Sequence, residues 1–267
     1  MQSYEKYSKC ANKHDFFLHI SQKNIIFAAK ISSNMRKYQE EFGKLWELNP
    51  HLWGSLTPEQ KSYIDNNSEI RRYRKNEMIH KEGDSPTHIM MVLVGTVRLS
   101  KEGVGQRTQI IRLLKPYDMF GYRSAIVGDA HSSCASTLES TVVYRIRREA
   151  FMHLVQHNNE FCFNVLLAMS KDLAISESRT VNLTQKHIRG RLAESLLTLR
   201  NTYGFDEDGA TIAMYMSRED LANMSNMTTS NAIRTLSQFA GEGLIAIDGR
   251  KIKILDEEEL TRISRLG

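Results

Sequence analysis

The chain has 267 residues, of which 41% are hydrophobic and 25% charged, and its formal net charge is +5. These proportions are those of an ordinary globular protein of about two domains, and 4 prolines with 15 glycines exclude collagen-like and low-complexity classes. The longest apolar run near the start, Ile25–Ala29, is far shorter than the ~18 residues of a membrane span. We therefore expect a cytoplasmic protein with no membrane partner, whose positive charge permits an anionic one.

The first 44 residues are expected to be an extension that precedes the folded part. Residues 1–34 carry Lys, Ser and Asn without a clean period, and the stretch before Met35 matches nothing that follows. A disordered tail and an upstream start codon with Met35 as the true initiator both explain this, and a functional arm is a further alternative.

Residues 45–158 form the first predicted domain, and most of it has the pattern of short β-strands. Turn residues such as Gly95, Pro116 and Gly128 separate the apolar runs, a spacing that is typical of a sandwich or barrel. The predicted strands are Glu69–Tyr73, Glu77–Lys81, His88–Val94, Thr96–Ser100, Arg107–Leu113, Cys134–Leu138 and Val142–Ile146.

From Arg148 onwards the apolar period becomes helical, and residues 159–185 are predicted to form one long amphipathic helix. Its apolar positions are expected at Phe161, Val165, Met169 and Leu173. The spacing fits a core-facing helix and a dimerisation helix equally well.

Residues 186–267 are predicted to form a second, smaller domain. One amphipathic helix ends at Tyr203, and Ser217 and Thr228 or Thr229 are placed to cap two further helices separated by a short break. The apolar side of the last helix is expected to comprise Ala232, Ile233, Leu236 and Phe239. Asp248 and Gly249, set between two β-type runs, then indicate a hairpin.

Helix, turn, helix and hairpin in this order is the winged helix-turn-helix pattern. Its second helix must present short polar or cationic side chains to the major groove, and Thr229, Ser230 and Arg234 lie on one side of it. The expected DNA contacts are Ser217, Arg218, Thr228, Thr229, Ser230, Asn231, Arg234 and Arg250.

Other classes of function compete with DNA binding at this point. Residues 186–267 hold 11 Lys and Arg against 12 Asp and Glu, a net charge of −1, so a winged helix that docks protein also fits. An enzyme that holds a metal inside its β-domain would need closely spaced His and carboxylate ligands, and the sequence has no such motif, no P-loop and no G-x-S-x-G. We therefore expect a protein that is not an enzyme and holds no metal.

Several motifs in chain order resemble the Crp/Fnr family of bacterial transcription regulators. The resemblance covers about residues 45–260. The matching motifs are His80–Asp84, Val92–Val97, Pro116–Gly121, Arg191–Glu194, Met216–Ala222 and the stretch from Arg234 to Ile245.

The resemblance implies an α+β fold of three parts, namely an N-terminal double-stranded β-helix, or β-roll, a long dimerisation helix and a C-terminal winged helix-turn-helix. It implies a homodimer that binds double-stranded DNA at a palindrome, contacts RNA polymerase and responds to a small effector in the β-roll. Arg234 falls on the guanine-reading arginine of the family. Ser230, Ile233 and Thr229 depart from its usual residues, so a different half-site is expected.

The resemblance also implies an effector pocket. Its expected residues are Phe120, Gly121, Tyr122, Arg123, His131, Ser132, Ser133 and Ser176. Cyclic nucleotide binders place Glu where this chain has Tyr122, and Arg where it has His131. Because the loss of that Arg removes a charge-assisted contact to phosphate, we expect another effector than cyclic AMP, or none.

Iron–sulfur and haem members of the family suggest two cofactors, and the sequence favours neither. Only Cys10 lies near the N-terminus, where a cysteine cluster is needed, and the haem-ligand candidates His80, His88 and His131 are isolated histidines. The identity of any cofactor or effector therefore stays open.

Overall fold

The computed structural model describes residues 44–267, so the expected extension lies outside the described residues except for its last position. Three short helices precede the first strand, namely α1 (Leu45–Leu48), α2 (Pro50–Trp53) and α3 (Pro58–Asn66). The side chains of Asn49 and Thr57 accept hydrogen bonds from backbone amides and so cap α2 and α3. Each cap is followed by a proline, which has no amide hydrogen to leave unpaired in the first turn.

Eight strands form two antiparallel sheets of four strands each. The predicted strands are confirmed to within two residues at each end, and the structure adds the short β6. The strands are β1 (Ser68–Tyr73), β2 (Met78–His80), β3 (His88–Val94), β4 (Val97–Glu102), β5 (Thr108–Leu114), β6 (Met119–Phe120), β7 (Cys134–Thr137) and β8 (Thr141–Arg147). The orders β1-β8-β3-β6 and β2-β7-β4-β5 make the roll. Helix α4 (Tyr122–Val127) lies between β6 and β7.

Two helices follow the roll, α5 (Arg148–His157) and the 27-residue α6 (Asn159–Gln185). Asn158 caps α6 by accepting a hydrogen bond from the Phe161 amide at 2.9 Å. The rings of Phe161 and Trp53 pack with centroids 5.0 Å apart, so the first turns of α6 are fixed in the core of the roll.

The structure corrects the predicted dimerisation face of α6. Phe161 and Val165 are buried in the core of the roll, and Met169 packs against the same cluster, so these three side chains are not free to contact a second copy. Leu173 is 61% exposed and belongs to another face. We call that face the exposed stripe of α6. It comprises Phe163, Leu166, Leu173 and Val181, with the polar Ser170 and Glu177 between them.

The C-terminal part contains four helices and a hairpin. The elements are α7 (Ile188–Tyr203), α8 (Arg218–Met224), α9 (Thr229–Gly241), β9 (Ile245–Asp248), β10 (Lys251–Ile254) and α10 (Glu257–Leu266). Ser217 caps α8 as predicted, Thr228 rather than Thr229 caps α9, and Gly249 lies in the hairpin turn. Helix α10, which Asp256 caps, was not among the predicted elements.

The buried side of α9 differs from the predicted one at two positions, Ile233 and Thr235. Ala232, Leu236 and Phe239 are fully buried as expected, and Thr235 is buried beside them. Ile233, which was expected in the core, is 49% exposed. The prediction for Ile233 was therefore wrong, because the polar Thr235 occupies the inward position.

Polar contacts join the roll to the C-terminal part. Arg98 of β4 forms an ion pair with Asp220 of α8. Arg179 of α6 donates to the carbonyls of Ile111 and Met224 at 2.7 and 3.1 Å. A third bond from Arg179 reaches the neighbouring carbonyl on β5. These contacts hold β5, α6 and α8 together where the roll meets the C-terminal part, and we call this junction the joint.

Candidate functional site

All eight residues expected in the effector pocket line one cavity of about 160 Å³ between the roll and α6. They are Phe120, Gly121, Tyr122, Arg123, His131, Ser132, Ser133 and Ser176. Seven of them come from β6, α4 and the loop before β7, whereas Ser176 comes from α6. The cavity therefore contacts both the roll and α6.

Gly121 determines how the chain enters this cavity. It has a φ of +78° and precedes α4 as its N-cap. A Cβ at this position would lie 2.9 Å from Cε of Met90 and 3.3 Å from the carbonyl oxygen of His88. A residue with a side chain would therefore meet both strain and a clash, and glycine allows Tyr122 to begin the helix directly after β6.

Sequence reasoning missed the polar centre of the cavity. Asp172 of α6 accepts hydrogen bonds from the guanidinium of Arg112 on β5 and from the hydroxyl of Tyr122. Burial, followed by the hydrogen bond to Asp172, raises the pKa of Tyr122, which therefore stays protonated as a donor. We call these three residues the Asp172 cluster. Arg112 and Asp172 lie 60 positions apart, so no local spacing indicates their pairing.

A pair of stacked histidines forms another wall. The rings of His80 and His131 have centroids 3.7 Å apart and an interplanar angle of 11°. Burial, and next the proximity of His131, lowers the pKa of His80 from 6.5 to about 4. Burial also lowers the pKa of His131, against the opposing charge of Asp84. Both rings are therefore neutral at pH 7 and present uncharged nitrogen atoms to the cavity.

The remaining polar groups of the cavity differ in their exposure and in whether they already have hydrogen-bond partners. Arg123, Ser132 and Ser176 are exposed, and Ser133 is half-buried. Arg179, which also lines the cavity, has its guanidinium bound to backbone carbonyls. Among residues 44–267, Asp172 supplies the only carboxylate in the lining, and it is already paired.

The second candidate surface is the N-terminal half of α9. Thr228, Thr229, Ser230 and Arg234 are exposed, and Asn231 is half-buried. The Thr228 hydroxyl accepts from the Asn231 amide at 3.3 Å, and Arg234 donates to the Asn231 side chain at 3.0 Å. The structure thus brings these five predicted residues to one helix end, whose free amides favour anions.

The three other predicted DNA contacts have different surroundings. Arg250 is exposed in the hairpin turn, whereas Arg218 donates to the carbonyl of Gly249 at 2.7 Å and so fixes that turn against α8. Ser217 accepts from the Asp220 amide at 3.0 Å and donates to the Asp220 carboxylate at 2.7 Å. Because capping occupies its hydroxyl, we revise Ser217 from a DNA contact to a helix cap.

Several acidic residues of the C-terminal part already form ion pairs with arginines. Glu242 forms a bidentate pair with Arg189, Glu257 pairs with Arg200, and Asp220 pairs with Arg98. Arg234 and Arg250 belong to none of these three ion pairs and are exposed.

Within residues 44–267, no three or more His, Cys, Asp and Glu side chains are grouped as metal ligands. In the same range, no helix has the length and apolarity required to cross a membrane.

Comparison with known proteins identifies both parts. The family model of the cyclic nucleotide-binding domain matches residues 70–158, and that of the Crp-like helix-turn-helix domain matches residues 190–263. Roll and winged helix together define a DNA-binding transcription regulator.

Individual relatives agree with these matches. The chain is 23% identical to the CRP-like cAMP-activated global transcriptional regulator of Mycobacterium tuberculosis, over 72% of this chain and 87% of that protein. It is 25% identical to the anaerobic regulatory protein of Haemophilus influenzae, with coverages of 79% and 82%. The structure of FixK2 from Bradyrhizobium japonicum has the same fold, with a TM-score of 0.66 at 24% identity, over 73% of this chain and 96% of that one.

The chain belongs to the Crp/Fnr family of transcription regulators. The expected α+β fold of β-roll, long helix and winged helix-turn-helix is thereby confirmed, and DNA binding is favoured over protein docking.

Proposed function

We propose that the protein is a homodimer that binds a palindromic operator and responds to a small effector in the cavity between the roll and α6. The exposed N-terminal half of α9 carries the DNA-binding part of this proposal. Arg234 reads a guanine, Thr229 and Ser230 contact neighbouring base edges, and Thr228, Asn231, Arg218 and Arg250 contact phosphates.

The exposed stripe of α6 is the proposed dimer seam. Phe163, Leu166, Leu173 and Val181 are each 49% or more exposed, although all four are large and apolar. The steps from Phe163 to Leu166, Ser170, Leu173 and Glu177 alternate between three and four residues, as in a coiled-coil seam. Such a seam would place the two copies of α9 symmetrically, which is what a palindrome requires.

The surroundings of the cavity support an effector other than cyclic AMP. Tyr122 stands where cyclic nucleotide binders have a ribose-binding Glu, and its hydroxyl is directed to Asp172. Arg112, a partly buried cation of the lining, is paired with the same carboxylate. A cyclic phosphate would therefore have to displace a partly buried ion pair to gain Arg112 as a partner.

The cavity and the seam lie on different faces of one helix, which suggests how an effector controls DNA binding. Asp172 and Ser176 face the cavity, whereas Leu173 and Val181 belong to the exposed stripe. An effector that binds one arrangement of α6 more tightly than another shifts the dimer towards that arrangement. This control needs no catalytic step, because the difference in effector-binding free energy between the two arrangements of α6 is enough to change their populations.

The proposed role as a transcription regulator also assigns a function to each part of the chain. The proposed division is a sensor at 45–158, a dimerisation helix at 159–185 and a DNA-binding domain at 186–267. A transcription regulator of this kind acts in the cytoplasm and contacts RNA polymerase when it activates a promoter.

The test is selection from a random pool of duplex DNA with purified full-length protein and no added effector. Enrichment of a two-fold palindrome is the expected result, and it would define the half-site and show that the effector-free dimer is competent. Absence of enrichment, repeated with cell-extract metabolites present, would reject the operator and favour a winged helix that docks protein. A variant with Arg234→Ala serves as the control for specific enrichment.

A further inference from the structure

Ile233 is an exposed β-branched residue on the helix that we propose enters the DNA groove. Its side chain is 49% exposed, whereas Ala232, Leu236 and Phe239 supply the apolar packing of α9 and are fully buried. The core therefore does not account for an isoleucine at this position. Single exposed apolar residues are common on protein surfaces, so the argument rests on where this one lies.

The neighbours of Ile233 on the exposed side of α9 are short. Thr229 and Ser230 lie one turn before it and Ser237 one turn after it, and all three are exposed. Positions three and four apart share a helix face. The branched side chain therefore projects from a face of small hydroxyl residues, and the next residue, Arg234, is the proposed guanine reader.

Among the groups that base pairs display in the major groove, the C5 methyl of thymine is the apolar one. We propose that Ile233 packs against a thymine methyl group in each half-site and selects thymine there. This inference depends on the proposed operator and adds a base-reading residue to it. Water is displaced from both apolar surfaces on contact, which is the source of the preference.

The test replaces thymines of the selected palindrome by deoxyuridine, one symmetric pair at a time, so that only the methyl groups are lost. At one position, wild-type protein is expected to bind about fourfold more weakly for each methyl removed, the factor that ~0.8 kcal/mol produces. In the variant Ile233→Ala, the loss at that position should disappear. The matched control Ser237→Ala, on the same face, should keep it.

The possible outcomes are distinct. If no deoxyuridine position weakens binding of the wild-type protein, or if Ile233→Ala keeps the loss, the assignment of Ile233 is overturned while the operator stands. Because Ile233 is exposed, the alanine variant should fold, and an unchanged melting temperature verifies this. If no palindrome is enriched at all, it is the operator proposal that fails, and the assignment fails with it.

Discussion

At the scale of single residues, His80 links the cavity wall to the stability of the roll. Its pKa in the folded protein is about 4, below the ordinary 6.5, so as the pH falls the unfolded chain takes up the proton first. The lowered pKa of His131 acts in the same direction. The contribution of His80 is complete above pH 6.5 and is lost between about pH 6.5 and 4.

We expect the free energy of unfolding to fall between pH 7 and pH 5, with about 2 kcal/mol of the fall due to His80. Urea denaturation at the two pH values measures it, and His80→Gln should reduce the difference. The exposed His157→Gln is the control. An equal pH dependence in His80→Gln and wild type would contradict the prediction.

Arg234 and Arg250 are predicted to contribute differently to DNA binding. Arg234→Ala should weaken operator binding by about 1–3 kcal/mol and relax one base position, because its guanidinium is proposed to contact a base edge. Arg250→Ala should weaken binding to all sequences and lower the salt dependence, as expected of a phosphate contact. Binding to a panel of single-base operator variants at several salt concentrations separates the two. Uniform loss in Arg234→Ala would make it a phosphate contact.

Individual contacts divide into those that a sequence can predict and those that it cannot. The cap at Thr228 was predictable, because it depends on a hydrogen bond to a residue three positions away. The Asp172 cluster was not, because its members come from β5, α4 and α6 and meet only when the roll packs on α6.

At the scale of elements, the face of a helix proved harder to predict than its existence. The period of α6 was visible, but it has two apolar stripes, one packed on the roll and one exposed, and the predicted set mixed them. In α9, hydrophobicity placed Ile233 in the core, whereas the structure buries Thr235 and leaves Ile233 half exposed. By contrast, α10 could have been found, because Asp256 and three following glutamates are typical of a helix N-terminus.

The exposed stripe of α6 supports a prediction about assembly. Leu173→Asp should shift the protein from dimer to monomer, because a charge would be buried in the seam without a partner. Leu255→Asp is the matched control, since Leu255 is 54% exposed and lies outside α6. Sedimentation velocity measures both masses. A variant that keeps the dimer mass would contradict the assignment of Leu173 to the seam.

At the scale of the whole molecule, the ion pair between Arg98 and Asp220 joins the roll to the DNA-binding domain. Both side chains are largely buried, with 28% and 15% exposed, so the pair is partly protected from solvent. Around it, Ile110 of β5 belongs to the same apolar cluster as Leu221 and Met224 of α8. The position of α8, and through it of α9, therefore depends on the roll.

Arg98→Ala is expected to weaken this joint by about 1 kcal/mol and to raise amide exchange in α8 about fivefold. Hydrogen exchange read by mass spectrometry measures it. Lys101→Ala, on the same strand, removes an ion pair to Glu82 inside the roll and should leave α8 unchanged. Unchanged exchange in Arg98→Ala would show that the apolar packing and the Arg179 hydrogen bonds hold the joint without Arg98.

Arg179 has a consequence for how such regulators can diverge. Its guanidinium bridges β5 and α8 through main-chain oxygens, which every amino acid provides. Side chains along β5 can therefore drift without breaking this link, provided the strand keeps its path. Substitutions along β5 can thus change the lining of the cavity while the hydrogen bonds that connect β5 to α8 are kept.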